Sequence, residues 1–151
     1  MRADRFTRAA GVLAAVAFLA GGAWSFADPA SFYEQVARFP PYNEHFLHDI
    51  GAFQLGIGAA VVVALLGRSG LQVALWGAAV AAVAHAAAHW IDWDAGGRDS
   101  DPVVLSLLAA VILAAALRTT TRKEANGDAN AEPATGVREG IPARATRQRH
   151  D

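Results

Sequence analysis

The sequence predicts an all-α fold, a multi-pass transmembrane four-helix bundle followed by a disordered C-terminal tail. Three observations lead there. Apolar residues make up 54% of the chain and gather into four runs, with polar residues pushed to the connections. Three of the runs reach about 20 residues, the length of a helix that crosses a bilayer. Beyond residue 117 the apolar content nearly vanishes. The chain thus divides into a membrane domain, residues 1 to 117, and a tail, residues 118 to 151.

The first run, AAGVLAAVAFLAGGAWSFA, covers residues 9 to 27. Arg2, Arg5 and Arg8 before it, and the small-residue end before Asp28, also fit a secretory signal. The run is longer than a signal core, so a retained helix is expected. Next comes DPASFYEQVARF, with Asp28 as N-cap and Pro29 at the first helical position. Phe32, Val36 and Phe39 recur at helical spacing, which predicts a short amphipathic helix lying on the membrane surface and ended by Pro40 and Pro41. Asn43 can cap the second run, residues 46 to 66, and Glu44 suits the positive helix start. A short GRSG turn leads to the third run, residues 71 to 91. The fourth, residues 103 to 117, is only about 23 Å long as a helix. Pro102 before it and Thr119 to Thr121 after it can lengthen it. In lipid each backbone polar group needs an internal partner, so helices are the expected form of all four. The tail mixes Ala, Glu, Pro, Gly and Arg without a period and lacks the apolar side chains that would offset the entropy of ordering.

Lysine and arginine set the orientation. Basic residues flank the start of the first run, the GRSG turn (Arg68) and the end of the fourth run (Arg118, Arg122, Lys123). The two remaining loops carry Asp28, Glu34, Glu44, Asp92, Asp94, Asp99 and Asp101 against only Arg38 and Arg98. Both termini are therefore expected in the cytoplasm of a bacterial inner (plasma) membrane, with both acidic loops outside. Trp24, Trp90, Trp93, Tyr33 and Tyr42 fall at the outer interface as an aromatic belt, and Trp76 alone lies toward the inner one.

Composition excludes several classes of function. With no cysteine there is no disulfide, thiolate metal site or cysteine nucleophile. Basic residues are scattered over short segments rather than one face, so no nucleic-acid partner is expected; the partner is the lipid bilayer, with any membrane partner protein unspecified. No phosphate-binding glycine loop or internal repeat occurs.

The polar residues inside the apolar runs carry the chemistry. In HAAAHWID, His85, His89 and Asp92 follow i, i+4, i+7 and share one stripe of the third helix. In NEHFLHD, His45, His48 and Asp49 share one face of the second. A turn centred between Arg68 and Ser69 would bring both sets to the same leaflet, with His48 opposite His89 and His85 about one turn deeper. Ionisable groups at such depth are costly and usually face the bundle interior. Histidine and carboxylate form a ligand set for zinc, iron, manganese or copper, and two facing imidazoles suit a haem. The candidate ligands are thus His45, His48, Asp49, His85, His89 and Asp92, with His48 and His89 as cofactor ligands. Imidazole also titrates near neutral pH and could relay protons. Gln54 lies about 120° around the helix from His48 and is expected to meet the first or fourth helix instead. Asp99, Ser100 and Asp101 read as a loop and cap before Pro102.

The combination of YNEHFLHDIGAFQLGIGAAVV, the preceding FYEQV and the later HAAAHWID resembles a group of small four-helix membrane proteins of high-GC bacteria without an assigned activity. More distantly it is similar to the DoxX-like membrane families, in which an aspartate or arginine with glycine begins the second helix. The resemblance covers residues 8 to 117 and implies a four-helix membrane bundle. The quinone and redox roles linked to DoxX itself transfer to no residue here, because no matching motif is present. Three functions stay open from sequence: a metal- or haem-binding membrane protein, a non-catalytic structural or interaction protein whose histidines pack the bundle, and a small transporter or proton-linked carrier. A carrier would be expected to show broken helices or internal symmetry, and neither is visible.

Overall fold

A computed structural model describes residues 3–67 and 69–130, with side chains through residue 121. Arg68 at the expected turn, and residues 131–151 of the expected tail, lie outside the described residues. Five helices follow one another: α1 (Arg5–Ala27), α2 (Pro29–Gln35), α3 (Glu44–Leu66), α4 (Leu71–Ile91) and α5 (Asp101–Asn130).

Each start has a local cause. Asp4 accepts hydrogen bonds from the Thr7 amide (2.8 Å) and hydroxyl (3.1 Å), pairing orphan donors of the first turn of α1. Asp28 does the same for α2 through the Ser31 amide, and Asn43 for α3 through the Phe46 amide, both at 3.1 Å. Gly70, at φ +90°, makes the left-handed step into α4. Pro102 sits in the first turn of α5, where a missing N–H costs nothing. That helix does not stop at residue 117. It runs to Asn130 through residues expected in the tail, because Ala, Arg, Lys and Glu there are good helix formers and no proline intervenes before residue 133.

Among the described residues four helical stretches are long and apolar enough to cross a bilayer: Arg5–Ala27, Glu44–Leu66, Leu71–Ile91 and Asp101–Thr121. The last is longer than the fourth run alone, which removes the shortfall in length. The chain is a multi-pass helical membrane protein. Its exterior agrees, for Phe53 is 74% exposed and Val63, Leu66 and Val73 also point outward. Such side chains face lipid at no cost, whereas water would drive them inward.

The bundle is built from two tight pairs, α1 with α3 and α4 with α5, joined more loosely by α1–α5 and α3–α4 contacts. Small residues make the pairs. A Cβ added at Gly51 of α3 would lie 2.9 Å from the Gly22 carbonyl and the Phe26 amide of α1, and one at Gly22 would lie 2.9 Å from the Gly51 carbonyl. The two backbones touch, as small-residue packing in membranes allows. Ala78, Ala79, Ala82 and Ala86 of α4 meet a core containing Ala109, Ile112, Ala115 and Ala116 of α5. With lipid as solvent, close dispersion contact rather than apolar burial holds these alanines together.

One end of the bundle, called the aromatic end below, carries Trp24 edge-on to Phe32, Tyr33 edge-on to Tyr42, and Trp90 stacked on Trp93. The five aromatics expected in one belt thus share one end. At the opposite, basic end Trp76 and Gln72 both donate to the Thr120 hydroxyl at 3.1 Å, and Arg118 lies 4.5 Å above the Phe6 ring.

Candidate ligand cavity

The aromatic end is capped. Asp28 and Pro29 start α2, and the helix ends at Gln35, shorter than the spacing of Phe32, Val36 and Phe39 predicts. The chain turns at Val36, with the Ala37 amide donating back to the Phe32 carbonyl (3.1 Å). Phe32 is buried and Phe39 half-buried as expected, Glu34 and Arg38 are exposed as expected, and Val36 is more open than expected. The Gly97 amide then donates to the Arg38 carbonyl (3.0 Å), tying the loop after α2 to the loop between α4 and α5. Gly96 and Gly97 take φ values of +151° and +81° there, and a Cβ on either would strike Arg38 or Phe39.

Under this cap lies a cavity of about 460 Å³. Phe32, Tyr33, Val36 and Phe39 form its roof. Phe46, Leu47, Ile50 and Gln54 of α3 line one side, His85, Ala88, His89 and Asp92 of α4 the next, and Asp101, Val104 and Leu105 of α5 the last. Most of this surface is apolar, with a few polar groups converging on it, which is the usual composition of a small-molecule site. His85 and His89 stand edge to face, ring centroids 4.8 Å apart, as i, i+4 neighbours on one helix should. His89 is half-buried and also meets the Phe39 ring edge-on at 5.2 Å. Neither histidine, nor Gln54, hydrogen-bonds to another described residue.

The two histidine sets separate. His85, His89 and Asp92 line the cavity. His48 turns away and packs on Phe26 of α1, ring centroids 5.2 Å apart. His45 and Asp49 pair on the exposed surface of α3 at 3.6 Å. The expected face-to-face arrangement of His48 and His89 is therefore not formed. Its cause is the Gly22–Gly51 contact. His48 is one turn from Gly51, so docking α1 against that face carries His48 to α1. Among the described residues no group of three or more His, Cys, Asp or Glu side chains is placed to hold a metal ion.

Two lining residues escaped the sequence reading. Gln54 meets α1, as expected, with its side-chain oxygen against Gly21, but it also lines the cavity with the histidines. Asp101 caps its own loop, accepting from the Arg98 amide at 2.9 Å, and reaches the cavity as well. A faint signal exists for Asp101, since Val104 and Leu105 follow it at i+3 and i+4 and line the same cavity. The potential at this end is negative. The Tyr42 phenol is held above its ordinary range by desolvation first, then by the carboxylates of Glu44 and Asp28.

Fold and site together define a small multi-pass helical membrane protein with a capped cavity between its helices at the aromatic end. No protein-family model, curated protein or solved structure matches the chain.

Proposed function

We propose that this protein binds a small amphipathic molecule at the outer face of a bacterial plasma membrane. One observation carries the reading. His85, His89 and Gln54 converge on a largely apolar cavity of about 460 Å³ without a hydrogen-bond partner among the described residues. Polar side chains that face a largely apolar cavity between membrane helices gain from a partner, and a ligand inside the cavity would supply one. The apolar roof and walls would hold its body. The distribution of Lys and Arg supports an outer-side cavity, since the basic end would then face the cytoplasm.

The metal reading contracts to one pair. His85 and His89 are close enough for both imidazoles to face one ion, which would need the rest of its shell from Asp92 or from the ligand itself. His45, His48 and Asp49 stand apart from that pair. A purely structural role fits His48, whose ring fills space against Phe26.

Native mass spectrometry of the gently extracted protein, with metal analysis of the same sample, tests the proposal. A bound small molecule is expected in the wild type and its loss in Ala88→Phe, which fills the cavity. A stoichiometric metal ion without a small molecule would replace the proposal with the metal reading. No bound species in any preparation would remove both. A reporter fused at Gly97 should read external; a cytoplasmic signal would move the cavity to the inner face.

A further inference from the structure

The charge of the cavity lining narrows the ligand class, on the reading that the cavity is a binding site. Two carboxylates, Asp92 and Asp101, line it, and no lysine or arginine does. Among the described residues neither cavity carboxylate forms an ion pair with a basic side chain, and the His45–Asp49 pair lies on the outside of α3. Asp101 is half-buried and held in place by the Arg98 amide (2.9 Å), which fixes its charge at the cavity. Four aromatic rings, Phe32, Tyr33, Phe39 and Phe46, line the same space.

We infer that the cavity takes an amphipathic cation, an amine or quaternary ammonium group carried on an apolar body. Each element of the lining has a part in that recognition. Aromatic faces attract a cation through their quadrupole, and the attraction grows when the site is shielded from water. The two carboxylates, Asp92 exposed at the rim and Asp101 half-buried, give the mouth of the cavity a negative potential that draws a cation and repels an anion. The apolar side chains of α3 and α5 cover the ligand's hydrocarbon. Gln54 and the histidines supply hydrogen bonds to an N–H or a hydroxyl on the ligand. Phe39 is the central element of the roof. His89 supports it from below and the Arg38–Gly97 hydrogen bond pins the residue beside it. A free phosphate or carboxylate ligand is disfavoured by the same charges.

Isothermal titration of the full chain in maltoside micelles, with empty micelles as blank, tests the inference on three probes with one tail: octyltrimethylammonium, octanol and octyl sulfate. The ammonium is expected to bind about tenfold or more tightly than octanol, and the sulfate most weakly. In the double variant Asp92→Asn, Asp101→Asn the ammonium should lose about tenfold in affinity while octanol is unchanged. Phe39→Leu keeps an apolar roof and removes the ring; it too should weaken the ammonium selectively, and it serves if the aspartate variant fails to fold. Octanol binding as tightly as the ammonium would overturn the cation class and leave the cavity reading standing. Failure of all three probes to bind would overturn the cavity reading and the inference with it.

Discussion

The two histidine pairs of this chain look alike in sequence and end in opposite surroundings. His45 and His48 sit near the start of α3, and His85 and His89 near the end of α4, each close to a carboxylate and at the same end of the bundle. Yet α3 is pulled against α1 by the Gly22–Gly51 contact, which takes His48 to Phe26 and leaves His45 on the surface. In α4 His85 and His89 fall on the same side of the helix as the buried alanines Ala78 and Ala82, so the face that turns those alanines into the core also turns both imidazoles into the cavity under the cap. The small residues of each helix, not its polar ones, decide which way the imidazoles point. A histidine in a membrane helix is therefore best read together with the glycines and alanines that set the rotation of its helix.

This comparison can be broken most severely at Gly51. Gly51→Val puts a branched side chain where even one carbon meets backbone atoms at 2.9 Å. The expected cost is about 3 kcal/mol or more, since backbone cannot move aside as a side chain does. Thermal unfolding in detergent should show a large fall in midpoint; an unchanged midpoint would mean that α1 and α3 are not in contact there.

A smaller effect separates the two pairs directly. His48→Ala should lower stability by about 1 kcal/mol through the lost contact with Phe26, and leave binding of octanol unchanged. His89→Ala should weaken binding of octanol about fivefold, the loss of roughly one hydrogen bond to its hydroxyl, with the fold retained. If the two variants exchange these phenotypes, His48 rather than His89 faces the cavity.

The smallest effect belongs to the exposed pair. His45→Ala should change stability by less than about 0.5 kcal/mol and not alter binding, because the His45–Asp49 pair lies in the open. A clear loss of binding in that variant would place the surface of α3 in the site.

Much of the fold was legible in residue order. Four apolar runs are expected as helices in lipid, and Asp28–Pro29 and Asn43 mark helix starts by chemistry that acts within a few residues. The aromatic end followed from where Trp and Tyr stand, because an interfacial preference belongs to each side chain alone. The i, i+4 approach of His85 and His89 was legible for the same reason, being a property of one helix.

What the sequence by itself determined is local: where the four apolar spans lie, the Asp28 and Asn43 caps, the belt, and the stripe of His85, His89 and Asp92. Only the tertiary structure decided which faces meet. Helices in lipid gain nothing from burying one apolar face rather than another, so the choice rests on where backbones can approach. Gly22 and Gly51 lie 29 residues apart and touch only when α1 and α3 dock. That contact sends His48 to Phe26. The pairing of the other helices brings Gln54 and Asp101, read from sequence as a packing residue and a cap, into the cavity with His89.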